Sequence, residues 1–362
     1  MKFGSFILLF LFFIFSIQSC AYYVWKKEFT REEKNDPALF LSLAGFIGNP
    51  NQALYIFIPK SDRQLPHEQF VEVELSNKTT KPKIVFIHGW NPLERDLDPF
   101  TSRARKIDNI KGTFQNAIIH YQENQQEVKS KYDLYLFTYR TSNAVIFNGE
   151  GFVSYLKRTF TKDEKVIVVA HSMGGIVTRA AMRSPQYEAG LIDGVITLAS
   201  PMYGSPFASD EFLKNQTLVN ELSSFLIETQ GGTDLGYTNN GTNQIPIGTE
   251  FNFVLDSINN GFPYNSLFIS YAGILNNDCQ GAETFYYQTS CKILTNSTPS
   301  FASNDGIVSE NSAILGGTVF QHYLKSGYDH SMMAFQTSMI DDTKSVSLFR
   351  EIILKIDELV SR

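Results

Sequence analysis

The chain predicts an α/β architecture, with a mainly parallel central sheet and helices on both faces, and three observations carry that prediction. Four short runs, Ile84 to Ile87, Leu134 to Phe137, Val166 to Ala170 and Val195 to Leu198, are apolar without alternation, as strands are when both faces of a sheet are covered. The segments between them are long enough for crossover helices, which parallel neighbours require. The 362 residues, 43% hydrophobic and 19% charged, suffice to bury one large core. The formal net charge of −6 supplies no basic footprint, so nucleic acid is not an expected partner.

Taken in order, the chain opens with Lys2 followed by a nearly unbroken apolar run from Phe6 to Ile17. That run is short for a membrane span and has the length of a secretory h-region, so residues 1–19 read as a signal peptide. Ile17-Gln18-Ser19-Cys20 resembles a bacterial lipobox, although Gln18 departs from the small or apolar residue usual there. The resemblance implies that Cys20 carries a lipid, that residues 20–52 form a lipidated tether, and that the protein sits at the membrane of the bacterial cell envelope. Assigning Cys20 to the lipid leaves Cys279 and Cys291, an even number in an oxidising compartment, and so predicts a disulfide between them. Sequons at Asn77, Asn215, Asn240 and Asn296 are the number an Asn-rich chain produces by chance.

The body is expected over residues 53–362. Ala53 to Ile58 and Gln69 to Leu75 read as strands, the second alternating Val71 and Val73 with Glu72 and Glu74, and form an antiparallel start to the sheet. A helical stretch covers Phe114 to Val128. Beyond the four central runs, Leu267 to Tyr271 and Thr318 to Tyr323 complete the strands, and a helix near Arg350 to Val360 closes the chain. Residues 203–265 form the longest gap between strands. Ser209 can cap a helix that carries Asp210 and Glu211 in its first turn and Phe212, Leu218, Val219 and Leu222 on one stripe. A Gly- and Asn-rich segment from Gly231 to Gly248 is expected to be mobile, and Phe251 to Ile258 is a second short helix. We read this insertion as a helical cap or lid; the competing reading is that its apolar stripes pack on the sheet.

The chemistry centres on Val166-Ile167-Val168-Val169-Ala170-His171-Ser172-Met173-Gly174-Gly175, a buried strand turning through a serine into a helix. Such a turn lifts the hydroxyl to the top of a sheet, where it can act as a nucleophile. Ala170-His171-Ser172-Met173-Gly174 resembles the nucleophile elbow of bacterial lipases and other α/β-hydrolases in which alanine replaces the first glycine. The resemblance runs from about Lys83 to the last helix, leaves the insertion unmatched, and implies an α/β-hydrolase fold. A serine needs a histidine base and an acid to orient it, which in this fold follow in the order serine, acid, histidine. His322 lies within an expected strand, whereas His330 lies in a turn-rich loop after it and is the expected base. Asn304-Asp305-Gly306-Ile307-Val308 resembles the segment that supplies the acid in lipase-like hydrolases, which favours Asp305. Asp329 is the rival, but neighbouring side chains rarely meet face to face, so it is expected to support the loop; Asp278 and Asp256 stand behind it.

By the same resemblance the oxyanion donors are the backbone N–H groups of Met173 and, from His88-Gly89-Trp90, of Trp90, with His88 fixing that loop. Leu198-Ala199-Ser200-Pro201-Met202 resembles a lipase segment in which a histidine stands where Met202 does here. The resemblance implies a serine hydrolase of carboxylic esters, with lipid or acyl-chain esters first among substrates, needing no cofactor or metal. An acyltransferase, a thioesterase or an amidase could use the same groups, and a non-catalytic envelope lipoprotein is the reading from a different class.

Overall fold

The computed structural model describes residues 52–58, 70–73, 80–91, 114, 116–123, 128–209, 212, 229–237, 251–275, 278–337 and 342–362. The expected leader, the Cys20 anchor, the tether and most of the Ser209 helix fall outside these residues, as do Asn77, Asn215 and Asn240.

Among the described residues, eight strands form one sheet: β1 (Ala53–Phe57), β2 (Phe70–Glu72), β3 (Lys83–Ile87), β4 (Asp133–Thr138), β5 (Val166–His171), β6 (Gly194–Leu198), β7 (Phe268–Ile274) and β8 (Gln321–Ser326), in the order β2-β1-β4-β3-β5-β6-β7-β8. β1 runs antiparallel to β2 and β4, and every pairing from β4 to β8 is parallel. This is the expected antiparallel start on a parallel sheet. Parallel strands need crossovers, supplied here by α1 (Val145–Thr159) and α2 (Met173–Arg183) among others. The side-chain period of two sends Val85, Ile87, Val166 and Val168 to one face, where they meet Phe152 and Leu156 of α1 and Ile176 and Val177 of α2. Ile84, Phe86, Ile167 and Val169 point to the other face, against Phe114, Ile118 and the C-terminal helix residues Leu348, Ile352 and Ile356. Burial on both faces is why these runs do not alternate.

The final strand begins three residues later than Thr318, because Gly316 and Gly317 take positive φ values of 60° and 79° and turn the chain there first. β7 runs on past Tyr271 through Ala272-Gly273-Ile274.

The expected cap or lid over residues 203–265, with its mobile segment at 231–248, meets the described residues in two places, while residues 238–248 lie outside them. Gly231 opens a packed turn, not a free segment: its N–H donates to Ser142 O at 3.1 Å, and a Cβ there would lie 1.9 Å from Thr141 O. The second helix of the insertion, α3 (Phe253–Asn259), buries Leu255 and Ile258 in the main core. Four bonds from α2 hold its exit: Arg179 Nε to Asn259 Oδ1 (2.8 Å), Arg179 Nη1 to Asn265 Oδ1 (2.9 Å), Arg183 Nη1 to Gly261 O (2.9 Å) and Arg183 Nη2 to Asn260 O (2.8 Å). The competing reading, packing on the body, describes α3.

Cys279 and Cys291 form the expected disulfide, with Cα atoms 5.8 Å apart. It joins the loop after β7 to α4 (Phe285–Ser297), a helix capped by the Thr284 side chain accepting from Tyr287 N–H. The chain ends in α5 (Thr343–Val360).

Candidate active site

β5 carries the chain to the C-terminal edge of the sheet, and Ser172 turns it into α2. Ser172 takes φ 51° and ψ −127°, a backbone conformation that costs a non-glycine residue roughly 1–3 kcal/mol and persists only where surroundings enforce it. Here the Ser172 N–H donates to Leu198 O at 2.9 Å and its carbonyl accepts from Gly175 N–H at 3.1 Å. Two glycines let the elbow sit against the end of β3. A Cβ on Gly174 would fall 2.6 Å from Ile87 O, and one on Gly89 would fall 2.7 Å from Ser172 Cβ. Alanine fits at residue 170 because that side chain is a fully buried member of the core under the turn.

His330 lies in the loop after β8. Its Nε2 is 3.0 Å from Ser172 Oγ and its Nδ1 is 2.8 Å from Asp305 Oδ2. A carboxylate accepts only, so Nδ1 carries the proton and the Nε2 lone pair faces the serine hydroxyl. The second carboxylate oxygen, Asp305 Oδ1, accepts the N–H groups of Ile307 (2.9 Å) and Val308 (2.7 Å), and Gly306, at φ 94°, makes the turn that brings them there. The His330 N–H donates to Asp305 O at 3.0 Å, so the Asp305 and His330 loops are also joined through the backbone. All three side chains are buried, Asp305 at 1% exposure, which strengthens each of these contacts relative to water. The structure therefore brings together Ser172, Asp305 and His330 from three separate loops. Asp329 meets other partners: its carboxylate accepts from Glu283 N–H, Ser331 Oγ–H and Met332 N–H. Asp278 accepts the Gln280 N–H, and Asp256 lies in the first turn of α3.

Met173 is the first residue of α2, so its N–H has no acceptor within the helix. Trp90 is partly buried against the core. His88 fixes its loop on three sides: Nδ1–H donates to Gly89 O at 2.7 Å, the ring stacks on Tyr139 at 4.4 Å, and its carbonyl accepts the Tyr139 hydroxyl at 2.8 Å. Drawing Gly89 O toward His88 turns the Trp90 N–H of the same trans peptide the opposite way.

His171 was not singled out from the sequence, and it belongs to the site. Its Nε2–H donates to His330 O at 2.9 Å, while Nδ1 is buried without a partner among the described residues. Burial, with the neighbouring His330 adding to it, holds its pKa well below the ordinary histidine value, so the ring is neutral. The signal in the sequence was its place beside Ser172, inside the elbow motif. Met202 is buried, and its carbonyl accepts the Asn259 side-chain amide at 2.6 Å.

Strand order, elbow and the positions of these loops are those of an α/β-hydrolase fold. Residues 80–249 match the family model of the PGAP1-like alpha/beta domain. A segment of 56 residues, 15% of this chain, is 39% identical to the GPI inositol-deacylase of Phaeosphaeria nodorum, of which it spans only 5%. Among solved structures, the mature form of Bacillus licheniformis lipase BlEst2 superposes with a TM-score of 0.50 at 18% identity, covering 84% of this chain and 97% of that one. Likeness at that identity is a likeness of fold.

Proposed function

We propose that this chain is a serine hydrolase of carboxylic esters acting through an acyl-enzyme. The observation that carries the proposal is the continuous relay Ser172 Oγ, His330 Nε2, His330 Nδ1, Asp305 Oδ2, with links of 3.0 and 2.8 Å. In the first half-reaction Ser172 Oγ attacks the ester carbonyl while His330 Nε2 takes its proton. Met173 N–H and Trp90 N–H receive the charge that develops on the carbonyl oxygen. His330 returns the proton to the leaving alcohol, then activates a water that releases the acid and frees Ser172. Asp305 holds the imidazole in the required tautomer throughout and stabilises its cationic form.

Lipid or acyl-chain esters are the proposed substrate class. Deacylation of an acylated polyol such as inositol is the specific form favoured by the match to the GPI inositol-deacylase, which is local and leaves the chemistry of the whole relative untransferred. We further propose that the chain is exported and held at a bacterial envelope membrane through lipidated Cys20; the Cys279–Cys291 disulfide supports an oxidising compartment.

The test is labelling by a fluorophosphonate together with ester turnover. Wild-type protein is expected to label and Ser172→Ala to lose both labelling and at least about 10⁴-fold in kcat. Equal labelling of the two would remove the nucleophile assignment. Esters of rising chain length separate a lipase from a small-ester esterase, and added alcohols reveal any acyl acceptor other than water.

A further inference from the structure

Asp329 is the most connected carboxylate near the site that the proposed reaction does not use. It is fully buried, and all three of its partners are donors from loops that carry or flank the triad. Oδ1 accepts Ser331 Oγ–H at 2.8 Å and Met332 N–H at 2.9 Å, which fixes the two residues following His330. Oδ2 accepts Glu283 N–H at 2.6 Å, across to the segment closed by the Cys279–Cys291 disulfide. The same segment reaches the acid loop. A Cβ on Gly306 would lie 2.8 Å from Tyr287 O, so the backbone of α4 lies directly against the turn that presents Asp305. The Tyr287 ring stands 6.4 Å from the His330 ring, centroid to centroid.

We infer that Asp329 is a positioning residue, which locks the His330 loop to the disulfide-closed segment 279–291 and through it to the Asp305 loop. The inference rests on the triad reading above. Its physical basis is that both triad links fall off steeply with misplacement, and loops hold such geometry only where something rigid ties them. A disulfide between residues at a sequence separation of 12 is rigid in that sense. Burial, with the nearby Asp305 adding to it, pushes the Asp329 carboxyl up in pKa, and its three donors oppose that shift.

The experiment measures kcat, KM and the fluorophosphonate labelling rate for Asp329→Asn, Ser331→Ala and Cys279→Ser/Cys291→Ser, beside Ser172→Ala as reference, with thermal unfolding of each. The expected result for folded Asp329→Asn is a fall of 10- to 100-fold in kcat and in labelling rate with KM within threefold of wild type, on the scale of lost orientation of one group. Ser331→Ala, which removes a single donor, is expected to lose about threefold to tenfold, and the double cysteine variant to match Asp329→Asn without adding to it when combined. Folded Asp329→Asn with wild-type kcat and labelling overturns the inference. Should Asp329→Asn not fold, wild-type kcat in either Ser331→Ala or the double cysteine variant overturns it equally. Retention of activity by Ser172→Ala is a different failure, that of the triad itself.

Discussion

At the scale of single residues, the site shows how one carboxylate is chosen over its neighbours. Asp305 and Asp329 are both buried beside His330, yet only Asp305 reaches the imidazole, because consecutive side chains on one backbone diverge while a residue from a facing loop can point straight in. Asp305→Asn therefore makes a sharper test than deletion. An amide can still accept the Ile307 and Val308 N–H groups, so the loop holds, but it can place an NH₂ against Nδ1 and favour the wrong tautomer. The expected outcome is a folded protein with kcat down by about 10⁴-fold, checked by steady-state kinetics and unfolding of the same sample. A loss smaller than tenfold would mean that another group orients the base. His171 makes a complementary point. A neutral ring whose Nε2–H holds the His330 carbonyl contributes hydrogen bonding without charge, and its burial keeps it so.

At the scale of elements, the elbow helix is the organising piece. α2 begins just after Ser172, packs along α1, and through Arg179 and Arg183 grips the exit of the insertion. Its contact with α1 is close enough to reverse an ordinary rule. Gly→Ala within a helix normally stabilises by up to about 1 kcal/mol. At Gly149 of α1 the new Cβ would sit 2.7 Å from both Ala180 Cβ and Ala181 N, the second a backbone atom that cannot swing aside. Overpacking of this kind costs about 1–3 kcal/mol, so Gly149→Ala is expected to destabilise by that amount in urea titration. A neutral or stabilised variant would show that the two helices can separate freely. The same region explains what the sequence withheld. The central strands and the elbow were legible because they are continuous apolar runs ending in a turn motif. α1 was not: its interior carries Gly149 and Gly151, and the side chain that accepts its first N–H is Asp234, 89 positions along the chain. α4 was equally hidden, since it buries only Ser290, Cys291 and Leu294 and so shows no apolar stripe. His171 and the Arg179 clamp depend on which loops meet in space, which spacing along the chain does not encode.

At the scale of the whole molecule, stability against pH follows from buried groups that pull in opposite directions. His120 and His171 are held below the ordinary histidine pKa by burial, so as pH falls below about 6.5 the unfolded chain takes up protons that the folded protein refuses, and stability drops. Asp234 works the other way. Burial raises its carboxyl to about 6 despite the hydrogen bonds from Val145 N–H and the Gln230 amide. A carboxyl with a folded pKa above its unfolded one binds its proton more tightly in the native state, so stability rises as pH falls from above 6 toward 4. The two effects oppose each other on acidification. Replacing Asp234 by asparagine removes its share of the balance, leaving the raised carboxyls of Glu150 and Asp329, while keeping an acceptor for Val145 at the start of α1. Measured by urea unfolding, the difference between wild type and Asp234→Asn is expected to shift in favour of wild type by about 2 kcal/mol between pH 7.5 and pH 4.5, the worth of a carboxyl moved from 3.8 to about 6 over that interval. A difference that stays constant across that range would mean that Asp234 is not held against its charge by the fold, and that water reaches the base of α1.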